Sequence, residues 1–388
     1  QAGGWKAPAY WIAPGDPLTV GTVIGGKGVN GPLPLLVRGA GPSLAALSVT
    51  SPLADPRLDV YSGSSIVAGN DNWGGTGELT TFAAQVGAFP YASASSRDAA
   101  AIFAPNIASP PASYTVQVTS VGGGATGPAI AELYDGFPSA TLTSSTPRLI
   151  NLSVLKQIPD DSLLTAGFTV GGTTPKQVLI RGIGPALGLD PFKISGVMPD
   201  PKITLFDGTG APIAANDDWG GRTTLASAFS GVGAFALSPS SRDAALVITL
   251  APGGYTAQVA ASTAAGAPRG GLALVEVYDL EGDNAPVIGV APVGLTVPAG
   301  SSAALSVAAI GAVGYQWQRL PAGSTTWSNL TNGASYAGTT TETLLINNPT
   351  AAQNGDQFRA VVTNSSSRAQ SNAAVLTVTA APTTITVP

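Results

Sequence analysis

PLLVRGAGPSL, at Pro34–Leu44, recurs as QVLIRGIGPAL at Gln177–Leu187, and this recurrence decides the fold. The stretches that follow repeat in the same order. DPRLDVYSG (Asp55–Gly63) returns as DPKITLFDG (Asp200–Gly208), and NDNWGG (Asn70–Gly75) as NDDWGG (Asn216–Gly221). VGAFPYASASSRDAA (Val86–Ala100) returns as VGAFALSPSSRDAA (Val232–Ala245), SYTVQV (Ser113–Val118) as GYTAQV (Gly254–Val259), and AELYDG (Ala131–Gly136) as VEVYDL (Val275–Leu280). The offset runs only from 141 residues (Ser113 to Gly254) to 146 (Asn70 to Asn216). Order and spacing together mean two copies of one module, 1–142 and 143–283.

Within each copy, LDVYS, ITLFD, YTVQV, YTAQV and LVEVYD alternate apolar and polar residues, the period of half-buried strands. Gly, Pro and Asp turns separate them. About eight such strands per copy predict an all-β protein of two tandem jelly-roll-like sandwiches. No stretch carries sustained helical periodicity, and Thr223–Phe229 is expected to form one short helical turn. The pattern ITLFDGTGAPIAANDDWGG followed by SSRDAALVITLAPGGYTAQV resembles the bacterial pre-peptidase C-terminal type of β-sandwich, over about 80 residues of each copy. The modules also resemble tandem units of large secreted repeat proteins of environmental bacteria. That resemblance implies non-catalytic appendages.

From residue 284 the character changes. GYQWQR and NGDQFRAVVTN, within 284–379, resemble a bacterial immunoglobulin-like domain. By that resemblance Trp317 is the core tryptophan, and Val307 and Ala360 stand at the usual cysteine positions. Phe358 takes the place of the corner tyrosine, so its hydroxyl bond is missing.

Composition removes whole classes of chemistry. The 388 residues include no Cys and no His, so there is no disulfide, no thiolate or imidazole ligand, and no Ser-His or Cys-His nucleophile. Carboxylate chemistry is left. The paired candidates, Asp160 with Asp161 and Glu281 with Asp283, fall at copy boundaries and read as solvated linkers. Net charge is −5 with no basic run, so neither nucleic acid nor an anionic membrane surface is an expected partner. No apolar run approaches the ~20 residues of a membrane span. A start at Gln1, without Met or a leader, fits an exported protein whose signal peptide has been removed, hence an extracellular or cell-surface location.

Three readings of the repeated acidic loop stand, with a turn ahead of the others. A calcium site would draw oxygens from Asn216, Asp217 and Asp218, with Asp207 in the preceding turn. The poorer first copy offers Asn70 and Asp71. The turn reading has Asn and Asp bonding their own backbone. The third reading is a surface glycan stacking on Trp73 or Trp219. No cofactor is otherwise implied. Arg38 and Arg181, inside the opening repeat, are expected to pair internally, with Asp55/Asp200 or Asp98/Asp243. The GxGP that follows them lacks the helix and further glycine of a phosphate loop.

The ends of the chain suggest a partner. The second copy opens with TPRLINLSV, a strand, whereas the first opens with the Gly/Pro-rich QAGGWKAPAYW. The first copy is therefore expected to lack a strand and to expose a groove. Residues 380–388 end in APTTITVP, and Pro382, Ile385 and Val387 align with Pro147, Ile150 and Leu152. The expectation is a non-enzymatic subunit of an extracellular filament. The strand Thr384, Ile385, Thr386, Val387 of one copy would enter the first module of the next, head to tail. The alternative is an adhesin or carbohydrate-binding stalk.

Overall fold

The structure is a computed structural model. It describes residues 4–6, 10–25, 29–107, 111–137, 146–172, 175–262, 269–280, 286–312, 314–364 and 368–381. The chain divides into two units, one of Gln1–Leu225 with Val232–Gly282, the other of Ala226–Gly231 with Asp283–Pro388.

The first repeat carries β1 (Gly4–Lys6), β2 (Tyr10–Ile12), β3 (Leu18–Gly25), β4 (Gly31–Pro32), β5 (Leu35–Ala40), β6 (Pro56–Ser62), β7 (Ser65–Asn70), β8 (Ala99–Phe103), β9 (Asn106–Ile107), β10 (Ala112–Ser120) and β11 (Gly127–Asp135). The second carries β12 (Arg148–Ile158), β13 (Leu164–Val170), β14 (Lys176–Ile183), β15 (Pro201–Asp207), β16 (Pro212–Asn216), β17 (Ala244–Leu250), β18 (Gly253–Ala261) and β19 (Gly271–Asp279). The alternation read from the sequence is that of the side chains. In β3 the burial pattern of LTVGTVIG is one residue in, one half out. β5, a continuous apolar run around Arg38, is buried throughout.

The two repeats do not fold as separate sandwiches. One sheet runs β16-β15-β18-β13-β1-β11-β5-β8, with β2 also beside β11, and the other β17-β14-β19-β12-β3-β10-β6-β7, so each path takes four strands from either repeat. The seams are β1 against β13 and β12 against β3. Joining there removes four sheet edges, two at each seam, that separate sandwiches would expose. One apolar cluster, from Ile12, Leu18 and Leu35 to Ile180, Ile203 and Val275, spans both repeats. Buried polar groups pin the seams. Lys156 Nζ reaches the Asp16 carboxylate at 2.5 Å and its carbonyl at 2.9 Å. Tyr10 Oη donates to the Thr165 carbonyl at 2.6 Å, and Thr22 Oγ1 to that of Asn151 at 2.8 Å.

Among the described residues two α-helices interrupt the β architecture, where one short helical turn at Thr223–Phe229 was expected. α1 spans Gly77–Gln85 and α2 spans Thr223–Gly231, at matching places in the repeats. The Thr76 hydroxyl caps α1 by accepting from Leu79 N at 3.3 Å. Both helices are too short for a periodicity signal.

The immunoglobulin-like domain pairs Gly314–Leu320 antiparallel with Gln357–Thr363, placing Trp317 opposite Ala360. Leu295–Pro298 runs parallel to Ala374–Thr379. Trp317, Phe358 and Ala360 are fully buried, and Val307 and Leu305 join their cluster. The tryptophan Nε1 donates to the Thr341 carbonyl at 2.9 Å. With no corner hydroxyl, Asp356 holds this end: it accepts from Arg319 Nε at 2.7 Å and from Ala322 N at 2.9 Å.

Candidate functional site

The acidic loops are tied to the sandwich by the side chains that a calcium site would need. Asn216 Oδ1 accepts from Ala245 N at 2.9 Å and its Nδ2 donates to the Asp218 carbonyl at 3.0 Å. Asn70 does the same with Ala100 N and the Asn72 carbonyl, both at 3.0 Å. Asp207 Oδ1 is committed to its own turn, accepting from Thr209 N, Thr209 Oγ1 and Ala211 N. Asp71, Asp217 and Asp218 stay at the surface. Asp217 accepts from Ser262 Oγ at 3.3 Å. Burial pushes the Asp200 carboxyl up, Arg242 opposes this, and Asp217 and Asp218 add to it. Among the described residues no group of three or more Asp or Glu is arranged to hold a metal ion. Both indoles point their N–H inward as well, Trp73 Nε1 to the Ser93 carbonyl at 3.1 Å and Trp219 Nε1 to that of Ser238 at 3.0 Å.

The loops are repeated because the whole set of repeated stretches is one device. Asp98 Oδ1 accepts from Gly41 N (2.8 Å) and Ser43 N (3.2 Å), and its Oδ2 from the Ser43 and Ser96 hydroxyls. Asp243 likewise holds Gly184 N, Ala186 N and the Ser241 hydroxyl. GxGP is thus a turn clamped by the aspartate of SSRDAA. A side chain on its second glycine would collide with the Leu53 carbonyl in one copy and the Met198 carbonyl in the other. The carbonyls of Asp98 and Asp243 then receive Trp73 N and Trp219 N of the acidic loops.

The expected partners of Arg38 and Arg181 are corrected. Asp55 and Asp200 pair with Arg97 and Arg242, both at 3.0 Å. The buried arginines face Glu132 and Glu276, directly opposite on the neighbouring strand. Those glutamates sit in the repeated AELYD and VEVYD, so the signal was present in the sequence. The two pairs differ. Arg181 Nε and Nη2 each reach Glu276 Oε2 at 2.7 Å, and Nη1 donates to the Phe235 carbonyl at 2.6 Å. Arg38 Nη1 lies 3.4 Å from Glu132 Oε2, and neither Nη1 nor Nη2 makes a hydrogen bond. The Phe89 and Tyr91 rings cover its guanidinium at 4.4 and 4.0 Å. Burial works against the Arg38 charge, while Tyr91 and Glu132 hold its pKa above the ordinary arginine value.

The expected gap in the first repeat is also corrected. β12 pairs with β19 over one unbroken stretch, Asn151–Ile158. The equivalent flank of β11 carries β1 opposite Glu132–Tyr134 and β2 opposite Gly127–Ala129. Ile12 opposite Gly127 occupies the position of Ile158 opposite Gly271, and both are buried. A Gly/Pro-rich stretch that reads as a poor strand is held because Tyr10 and Ile12 enter the core while Trp11 stays exposed. The candidate strand Thr384, Ile385, Thr386 and Val387 lies outside the described residues, as do Glu281 and Asp283. Asp161 pairs with Arg269 at 2.6 Å at the surface.

No family model matches the chain, and no curated protein matches it. Solved structures similar to parts of it are immunoglobulin-type domains. Titin M4 is 23% identical over 25% of this chain and 98% of that one, with a TM-score of 0.21. The N-terminal Ig1-2 module of Drosophila receptor protein tyrosine phosphatase DLAR is 14% identical over 58% and 98%, also at 0.21. The Ig-like domain of human leucine-rich repeat-containing protein 4 is 18% identical over 24% and 87%, at 0.20. At such scores these likenesses carry no argument, and the β-sandwich assignment rests on the strand order described above.

Proposed function

We propose that the protein is a non-catalytic structural subunit of an extracellular polymer. The C-terminal strand of one copy adds beside β11 of the next. The observation that carries this reading is the contrast between the two flanks. The second repeat closes β19 with one long strand, whereas the first closes β11 with two three-residue pieces separated by residues 7–9. Two short segments make fewer ladder bonds than a continuous strand, so a continuous strand can replace them. Since Ile385 and Val387 align with Ile150 and Leu152, Val387 takes the register of Trp5, opposite Leu133. Main-chain bonds then supply affinity, and the alternating aliphatics supply specificity. Contacts of this head-to-tail kind propagate as filaments when they do not close a ring.

A synthetic peptide of residues 380–388 tests the reading on protein lacking 382–388. The peptide should bind that protein, and binding should tighten when residues 1–9 are also removed, because β1 competes for the site. A peptide with Ile385→Asp and Val387→Asp should not bind. Equal binding of both peptides, or none of either, sinks the proposal.

A further inference from the structure

Beneath α1, on the outer side of β5, lies a cavity of about 330 Å³ in the first repeat. Leu36, Leu79, Ala83, Phe89 and Tyr91 give it apolar walls, Trp73 closes one side, and Arg38 is the charged group in its lining. The volume is that of a small-ligand site, and apolar walls with one convergent polar group are the usual form of such sites.

The state of Arg38 says what would fit. Its side chain is only 2% exposed, and Nη1 and Nη2 make no hydrogen bond. A buried guanidinium with unmet donors is costly. Phe89 and Tyr91 lie over its plane, so a further partner would have to meet it at the edge bearing the Nη hydrogens, where Glu132 Oε2 stands 3.4 Å from Nη1 without a hydrogen bond. A planar acceptor meets that edge best, and a carboxylate does so with two parallel bonds. The second repeat shows the same position more fully served from within the chain: Arg181 donates from Nε to Glu276 at 2.7 Å and from Nη1 to the Phe235 carbonyl at 2.6 Å, and its Nη2 lies 2.7 Å from Glu276 Oε2 as an ion pair. In the first repeat the sequence is Phe89-Pro90-Tyr91 where the second has Phe235-Ala236-Leu237. The Tyr91 ring takes up a place over the guanidinium, and Arg38 makes no bond to the Phe89 carbonyl.

We infer that this cavity binds a small carboxylic acid with an aromatic or branched aliphatic body, the carboxylate on the Arg38 edge and the body against Leu79, Phe89 and Trp73. The site is independent of the strand addition proposed above.

Titration of the full chain with phenylacetate tests it, with 2-phenylethanol as the uncharged control of similar size. Heat of binding gives affinity, and the indole N–H resonance of Trp73 reports on the cavity. Phenylacetate should bind at least about ten-fold tighter than the alcohol and shift the Trp73 signal. Ala83→Phe fills the cavity from an accessible helix position. It should melt near the wild-type temperature and lose binding. Arg38→Lys keeps the charge without the planar donor pair and should weaken binding about ten-fold. Should that variant not fold, the Ala83→Phe arm still decides. Absence of binding at millimolar phenylacetate, equal affinity for acid and alcohol, binding with an unmoved Trp73, or undiminished binding to Ala83→Phe overturns the assignment.

Discussion

At the scale of single residues, the two repeats serve as controls for each other. Asp98 and Asp243 occupy the same place and hold the same turn, so each should be indispensable to it. Asp98→Ala strips an acceptor from two backbone N–H groups and two hydroxyls. Leaving several buried donors unpaired should cost about 3 kcal/mol or more, read as a loss in urea unfolding free energy. The pair Asp135 and Asp279 diverges instead. Asp279 has Lys176 at 2.8 Å, whereas the residue aligned with that lysine in the first repeat is Leu33. Burial pushes the Asp135 carboxyl up to about 6, against the pull of the Phe137 N–H. Its folded pKa thus lies above the ~3.9 of an unfolded aspartate. Between about pH 4 and 6 the unfolded chain releases this proton first, so this group's contribution to stability falls as pH rises and then levels off. Asp135→Asn should flatten that slope, measured by urea unfolding of both proteins across the range. The calcium reading has a simple check too. With the Asn70, Asn216 and Asp207 oxygens bonded to the chain's own donors, a chelator should leave the melting temperature unchanged. A drop would show that Asp217 and Asp218 hold a cation after all.

At the scale of elements, what the sequence showed and what it hid follow from range. Repetition and period-two alternation are local, so strands such as Pro56–Ser62 and Pro201–Asp207 were legible. So were the buried Trp317 and the apolar substitutes at Val307 and Ala360. Trp317→Ala should cost about 3–5 kcal/mol. Partner choice is not local. Arg38 could equally have faced Asp55, Asp98 or Glu132, and only the β5–β11 register selects the glutamate. The same limit hid the role of the N-terminal stretch, which looks like a poor strand until β11 and β13 supply its two neighbours. α1 was missed because nine residues are too few for a pattern, although Thr76 with its hydroxyl on Leu79 N is an ordinary cap. Thr76→Ala should cost about 1 kcal/mol by thermal melting.

At the scale of the whole molecule, the fusion of two repeats across both sheets changes what assembly requires. The seam strands β12 and β3 are sealed over a long register, Arg148–Leu155 against Thr19–Gly25. The flank of β11 is closed by the short strands β1 and β2. In the proposed assembly residues 384–387 add there as a strand, and Ile385 and Val387, alternating in sequence with Thr384 and Thr386, would then share one face. Burying each aliphatic contributes about 1.5–3 kcal/mol before binding costs. Aspartate at both positions would place unpaired charge in the core, which is strongly unfavourable. Sedimentation of the wild-type chain, the Ile385→Asp/Val387→Asp variant and the chain lacking 382–388 therefore bears most directly on the account. Wild type should sediment as polymers at high concentration, and both altered proteins as folded monomers. A wild type that stays monomeric, or polymers that persist without residues 382–388, would contradict it.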